Sequence, residues 1–297
     1  MELYTECKWP DWDRIVDIVV INGNKALEDI NDENTYKILF LEDGEINIEE
    51  NNIKKKISVP YFRLLSNRDK IKVTHRKPVK MTVVYFKPTA IRDEFEIKRI
   101  ENKEFEEAFG QSIYQDYSLI MAFSSGDRKK EYELPISGVK RFKEIMAAIG
   151  KELDEQRDGF WPCRSRSHLF ELLYYINYSF IFTENAGLDS KERDYFSETV
   201  EYLTEHINEH MTLEKLTKEL AINRNKLNEI FMEKSSLTCM NYFTKMRIDL
   251  AKLMLKGTEL MIGEIGDRVG YPDPNYFTKV FKQNTGFNPT DYRKSAS

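Results

Sequence analysis

Residues 262–293 read IGEIGDRVGYPDPNYFTKVFKQNTGFNPTDYR. Ile262, Ile265 and Val269 step by three and four, which places them on one face of a short helix. Gly270 is a small residue where a second helix must cross closely. Asp273 is placed to cap that helix, and Pro274 suits its first position, where a missing N–H costs nothing. Phe277, Val280 and Phe281 give the second helix its inward face. A short helix, a tight turn and a capped second helix predict a helix-turn-helix.

The same unit stands earlier in the chain. Leu213, Leu216, Leu220 and Ala221 map by +49 onto Ile262, Ile265, Val269 and Gly270. Leu227, Ile230 and Phe231 map by +50 onto Phe277, Val280 and Phe281, so one extra residue sits in the second turn. Asn223 takes the capping position in the first copy. Between the copies, Phe243, Met246, Leu250 and Leu253 predict a connecting helix, and upstream Phe196, Val200, Leu203 and Ile207 form the apolar stripe of another. Two copies are too few for a solenoid, which leaves a duplicated supersecondary unit.

With the inward residues assigned, Asn225, Asn228, Glu229 and Met232 face outward in the first copy, and Asn275, Tyr276, Thr278 and Lys279 in the second. Asn can bond adenine through two hydrogen bonds, Lys can donate to guanine, and Glu can accept from a cytosine amino group. The polar face of any solvated helix would look similar. Charge adds modest support: residues 211–297 carry 14 Lys+Arg against 10 Asp+Glu, a +4 module on a remainder of −9.

Upstream the period differs. Runs at 15–21, 36–41, 45–48, 61–65 and 81–86 are rich in Ile, Val, Phe and Tyr, with a hairpin signal at Asp43-Gly44. They predict a small antiparallel barrel or sandwich. From about Pro135, Val139, Phe142, Ile145 and Ile149, then Leu169, Leu172, Leu173, Ile176 and Phe180, fall at helical spacing. The turn DGFWP at 158–162 separates them, which predicts a helical hairpin. The polar stretch TENAGLDSKERD, with Gly187 and no period, reads as a linker. The chain thus divides into 1–182, a linker at 183–194, and 195–297.

Composition bounds the rest. At 297 residues, 41% hydrophobic, 32% charged and net charge −5, collagen, low-complexity disorder and a disulfide scaffold are excluded. The most apolar stretch, 170–182, is broken by Glu171 and Asn177 and falls short of the ~20 residues a membrane helix needs. The N-terminal MELYTECKWPDWDR has neither the basic nor the apolar region of a signal peptide. Cys7, Cys163 and Cys239, an odd set without CxxC, predict a reduced, cytoplasmic protein.

On these residues, 262–293 resembles the C-terminal signature of the AraC/XylS family of bacterial transcriptional regulators. Gly270-Tyr271, Asp273, Tyr276-Phe277, Phe281-Lys282, Gly286, Pro289 and Tyr292-Arg293 stand at the family's spacing. The first copy and the connecting helix, with Arg247-Ile248 and Ala251-Lys252, extend the resemblance. It implies two helix-turn-helix units on a rigid helix, reading successive major-groove segments of double-stranded DNA, about 34 Å apart. Carried over by position, Asn225, Asn228 and Glu229 read bases in the first unit and Asn275 and Lys279 in the second, with Tyr276 beside them. Thr217 and Gly266 stand where the family usually has Ala, Met232 where it has Lys, and Ser236 where it has Gly. Glu229 would also repel phosphate unless it meets a cytosine, so the second copy carries the firmer match.

The N-terminal half resembles, more diffusely, the family's partner domain, a cupin-like β-barrel followed by a dimerising helical hairpin. Glu42-Asp43-Gly44 and Phe86-Lys87-Pro88 sit where that domain places a turn and an exit. The resemblance implies a small-molecule effector such as a sugar or metabolite, a homodimer, and RNA polymerase as a candidate partner.

Other residues invite functional readings beside plainer ones. His75 is the only His in the barrel half, too few for a cupin metal, so neither metal nor cofactor is expected. His206 and His210 lie four apart, but the buried stripe lies on another face. Cys163, between Pro162 and two arginines, could be an alkyl-acceptor nucleophile; a structural cysteine in the turn is preferred. The run RDKIKVTHRKPVK at 68–80 could meet an anion, yet reads better as solvated edge strands. Trp9, Trp12 and Trp161 could stack on a sugar, and Tyr174, Tyr175 and Tyr178 could face a second subunit.

The expectation is an α+β chain: a cupin-like barrel with a helical hairpin, then an all-α double helix-turn-helix. Its function is that of a non-enzymatic, effector-responsive, sequence-specific DNA-binding regulator. The alternative is a DNA-tethered enzyme, with an N-terminal cupin or a cysteine alkyl acceptor.

Overall fold

The Ile, Val, Phe and Tyr runs pair as antiparallel strands in the computed structural model, which describes residues 3–9, 14–108, 112–124, 131–133, 136–178 and 194–296. The strands are β1 (Thr5–Glu6), β2 (Ile15–Val16), β3 (Ile18–Asn22), β4 (Tyr36–Asp43), β5 (Ile46–Glu50), β6 (Ile53–Ile57), β7 (Tyr61–Leu65), β8 (Lys72–Thr74), β9 (Lys80–Phe86) and β10 (Glu131–Glu133). One sheet has the order β10-β7-β4-β9-β3, a second β6-β5-β8, and β1-β2 form a short ribbon. Leu39 and Leu41 of β4 pack with Ile46, Ile48, Tyr61, Leu65 and Val83, so the two larger sheets share one core. The other face of β4 carries Phe40, whose ring lies 5.0 Å from Phe142 of α4 (Ile136–Glu155). Covered on both faces, β4 reads as the nearly continuous apolar run YKILFL.

Of the expected barrel or sandwich, the strands form two sheets on one core that are not closed into a barrel. Among the described residues no ladder joins the five-stranded sheet to the three-stranded one. The chain crosses between them in turns that interrupt pairing, as at Gly44. There φ is +96°, and a Cβ would lie 2.9 Å from Val79 Cγ1. β6 and β8 are the edges of the smaller sheet, as the 68–80 run predicted for its own part. β6 itself, IKKKI, was not foreseen, because three lysines hide the alternation.

Three short helices, α1 (Ile97–Glu101), α2 (Ser112–Ser118) and α3 (Met121–Ser124), were also not foreseen, being too short to show a period. α4 and α5 (Trp161–Ile176) form the expected pair around the 158–160 turn. Pro162 lies within the first turn of α5, where a missing N–H is tolerated. Phe180 and the predicted linker, apart from Asp194, lie outside the described residues. Contacts divide the chain into two compact parts, Met1–Leu172 and Leu173–Ser297.

From Asp194 onward the described chain is helical: α6 (Tyr195–Glu205), α7 (Leu213–Glu219), α8 (Arg224–Ser235), α9 (Cys239–Gly257), α10 (Ile262–Arg268), α11 (Pro274–Thr285) and α12 (Pro289–Ala296). The predicted stripes are buried: Phe196, Val200 and Leu203; Leu216, Leu227 and Phe231; Phe243, Met246 and Leu250; Ile265, Val269, Phe277 and Phe281. Ile207 is buried too, although it lies just past the end of α6. Ile230, read as inward, is only half-buried. Among the described residues no helix is long and apolar enough to cross a membrane.

Candidate nucleic-acid interface

Each copy builds its second helix from a turn and a cap. In the first, Thr212 Oγ1 accepts from Lys215 N at 3.1 Å and starts α7. Ala221 turns the chain at φ +51°. Asn223 Oδ1 accepts from Asn225 N at 2.8 Å and starts α8, which ends at Ser236 with φ +59°. In the second copy Met261 precedes α10 without a side-chain cap, and Gly270 turns at φ +83°. Asp273 Oδ1 accepts from both Asn275 N (2.8 Å) and Tyr276 N (3.2 Å), Pro274 follows, and α11 ends at Gly286 with φ +82°. The capping and turn residues expected from sequence hold these places.

The outward positions differ in what they offer. Asn225 and Glu229 of α8 are exposed, and Glu229 lies 3.2 Å from Lys226 Nζ. Asn228 is half-buried; its Oδ1 accepts the N–H of Cys239 at 3.1 Å, tying α8 to the start of α9. Its carbonyl oxygen is therefore committed, and the amide nitrogen is the group left to face outward. On α11, Asn275, Tyr276 and Lys279 are all exposed, and the Tyr276 ring stands 5.9 Å from that of Tyr271. Thr278, which matches Asn228, turns its hydroxyl back onto the Pro274 carbonyl at 2.8 Å.

Beneath these helices lies a residue the sequence had placed only within a motif. Arg247 of α9 is buried, its guanidinium 4.1 Å from the Phe243 ring centroid and 5.2 Å from that of Tyr271. Its Nε donates to the Ile207 carbonyl at 2.8 Å, Nη2 to the Glu209 carbonyl, and Nη1 to the Gly270 carbonyl at 3.4 Å. Burial lowers its pKa, partly offset by the Tyr271 phenol. The signal was an arginine within the apolar stripe of Phe243, Met246 and Leu250. Gly266 was noted as a departure without a reason; a Cβ there would lie 3.0 Å from the Tyr271 carbonyl and 3.1 Å from the Phe277 ring. Arg293 caps the end of α9, donating from Nη2 to the Leu260 carbonyl at 2.6 Å and from Nε to the Leu255 carbonyl at 3.2 Å.

The remaining candidates have these places. Cys163 is not in the turn but buried within α5, because the helix begins at Trp161. Arg164 beside it is held by Glu152 and Asp158, each at 2.8 Å. His206 stacks on Tyr202 at 4.2 Å while His210 is exposed, and no cluster of three metal-ligating side chains occurs among the described residues. Trp161 is fully buried, Trp9 donates to the Gln156 carbonyl at 2.9 Å, and Trp12 lies outside the described residues. Tyr174 and Tyr175 are buried within the single chain, with the Tyr174 hydroxyl on the Met246 carbonyl at 2.9 Å. They are therefore closed to a partner, contrary to the surface expected of them.

In the N-terminal part, Arg68 pairs with Glu101 at 2.8 Å and Lys70 with Glu33 at 2.7 Å. Both pairs line an open cavity of about 1000 Å³, with Leu3 and Phe95 among its apolar residues. Its four basic and four acidic residues balance. Lys37, hidden in YKILFL, is fully buried and donates to the Asp32 carbonyl. Burial pulls its pKa down to about 8 against the opposing pull of Asp32.

The family match falls on the same helices. Residues 216–295 match the family model described as a helix-turn-helix domain. An uncharacterised HTH-type transcriptional regulator of Escherichia coli (strain K12), YdiP, is 28% identical over 153 residues, 52% of this chain and 50% of that protein. The arabinose operon regulatory protein of Salmonella typhimurium is 28% identical over 107 residues, 36% of this chain and 37% of that one. The solved C-terminal domain of AraT, a response regulator from Geobacillus stearothermophilus, is 29% identical, with a TM-score of 0.34 over 36% of this chain and 88% of that one. The matches span about half or less of the length of these curated relatives.

Proposed function

We propose that the chain, which belongs to the AraC/XylS family of transcriptional regulators through its C-terminal double helix-turn-helix, is a non-enzymatic regulator that binds double-stranded DNA sequence-specifically. The observation that carries this reading is the pair of capped helices, α8 and α11, set on one buried frame with exposed polar faces. Asn275, Tyr276 and Lys279 are the principal base-reading and phosphate-facing groups. Asn225 and Glu229 supply the first copy, with Asn228 limited to its amide nitrogen. Asn can take adenine and Lys guanine, each good bidentate pair being worth about 1–3 kcal/mol of discrimination.

The N-terminal part is proposed to be a cupin-like sensor for an effector, in a protein that works as a cytoplasmic homodimer and signals to RNA polymerase. The charge-balanced cavity suits an uncharged or zwitterionic polar molecule such as a sugar. Effector control requires two states that bind the effector differently.

The test is selection of the full-length protein against a random duplex pool, repeated with Asn275→Ala/Lys279→Ala. Enrichment of ordered sub-sites, relaxed in the double variant at one of them, is the expected result. Absence of DNA binding even at low salt, where phosphate contacts are strongest, would reject the reading.

A further inference from the structure

The two helix-turn-helix copies meet at one side chain. Arg247 projects from the connecting helix into a space closed by the lead-in to the first copy and by the turn of the second. On one side its Nε and Nη2 hold the Ile207 and Glu209 carbonyls, in the stretch that leads from α6 into α7. On the other, Nη1 reaches the Gly270 carbonyl, in the turn of the second copy. The Phe243 and Tyr271 rings lie against the guanidinium, with centroids 4.1 and 5.2 Å from its carbon. The approach is tight: a Cβ on Gly270 would lie 2.5 Å from Arg247 Nη2 and 2.9 Å from the Ile207 carbonyl oxygen. The backbone of the second turn is thus pressed against both the arginine and the entry to the first copy.

This arrangement is unusual for a stabilising device. A buried cation held by carbonyl dipoles and ring faces is costly to desolvate, and an apolar side chain of similar volume often serves stability as well or better. What an apolar side chain cannot do is hold the Ile207, Glu209 and Gly270 carbonyls at once. The rigid five-donor fork of Arg does so, and the flexible single ammonium of Lys does not.

We propose that Arg247 is a positioning residue that locks the spacing and rotation of α8 relative to α11, so that the protein demands its two DNA sub-sites at one separation. This inference rests on the DNA-binding reading above. Two sub-sites on one rigid body bind as a single event, whose advantage depends on their separation and is lost when geometry forbids joint engagement. If the clamp is released, each copy still folds around its own core and reads its own segment, but tolerance to spacing widens.

The experiment uses the full chain, with the duplex selected from the random pool as probe. Wild type, Arg247→Lys and Arg247→Met are titrated against that duplex, against versions with one or two base pairs inserted or removed between sub-sites, and against a duplex carrying one sub-site only. Wild type is expected to lose at least about tenfold when spacing changes, whereas the variants lose less than about twofold and keep their single-sub-site affinity. Spacing discrimination unchanged in Arg247→Met overturns the proposal. So does an equal loss on single and paired sub-sites, which marks simple damage to the fold.

A measurement without DNA separates this inference from the reading beneath it. Spin labels at Lys226→Cys and Lys282→Cys, both exposed sites on α8 and α11, in a Cys7→Ser background, should give one narrow distance distribution in wild type and a broadened one in Arg247→Met. Equal widths overturn the clamp. Broadening in Arg247→Met beside a wild type that binds no duplex rejects DNA recognition and leaves the clamp standing.

Discussion

The two helix-turn-helix copies share one plan but hold their second helices by different means. Where the second copy needs a left-handed residue it has glycine, at Gly270 and Gly286; the first has Ala221 and Ser236 at φ +51° and +59°. A Cβ in that region costs about 1 kcal/mol. Asp273 caps α11 with two hydrogen bonds, whereas Asn223 caps α8 with one. The first copy leans on neighbours instead. Phe231 packs against Phe196 of α6 at 4.7 Å, Lys234 reaches Asp194 at 3.0 Å, and Asn228 is spent on the start of α9. The lesson is that α11 is preorganised by its own sequence and free to present its polar face, while α8 gives up part of that face to be held.

The comparison can be broken most sharply at the turn. Gly270→Ala forces a Cβ to 2.5 Å from Arg247 Nη2 at a φ of +83°. A cost of about 3 kcal/mol is expected, from overpacking and backbone strain together. It is read as a drop in the thermal midpoint by circular dichroism, and a midpoint within a degree of wild type would refute the contact. The caps come next. Asp273→Ala should cost about 2 kcal/mol and Asn223→Ala about 1. Amide exchange should rise in the first turn of α11 in one variant and of α8 in the other. Equal effects would erase the proposed difference in preorganisation.

Much of this asymmetry was legible in advance, for a physical reason. Turns and caps depend on residues adjacent in sequence, so Gly270, Asp273, Pro274 and Asn223 announced themselves. So did Phe277 and Phe281, whose helical spacing is local. Arg247 and Asn228 act across distances of 40 and 11 residues, and nothing in their neighbourhood specifies Ile207 or Cys239 as partners. In the N-terminal part, β4, β7 and β9 were readable because buried strands are apolar runs. The edge strand β6 was not, since its lysines face solvent where no core imposes a pattern. Barrel and sandwich could not be told apart in the sequence, because strand pairing between sheets is set by hydrogen-bond register, which composition does not encode.

Smaller changes should move the copies toward each other. Ala221→Gly and Ser236→Gly remove a Cβ from a left-handed residue, and each should stabilise by about 0.5–1 kcal/mol. Met261→Thr should gain about as much by supplying α10 with the cap that Thr212 gives α7. Denaturant midpoints that fall in the two glycine variants would mean that the first copy's turns are stabilised by contacts of their own.

The smallest expected effect is one of pH, and it belongs to the side of the molecule that braces the first copy. Glu201 of α6 has its pKa pushed up to about 7 from 4.5, first by burial and then by the nearby Glu205 and Glu198 carboxylates. The folded chain therefore keeps a proton that the unfolded chain releases, and stability falls as pH rises from about 4.5 to 7. The penalty is complete above that window. Glu201→Gln removes the titrating charge, so it should raise the thermal midpoint at pH 8 and leave it nearly unchanged at pH 4. Because the group is partly exposed, the gain should be less than about 1 kcal/mol. Amide exchange should locate it in α6 and α8 and leave α11 unaffected, since α6 packs on α8. An equal response in α8 and α11 would mean that the two copies share their bracing, and the contrast between a self-held and a neighbour-held second helix would fail.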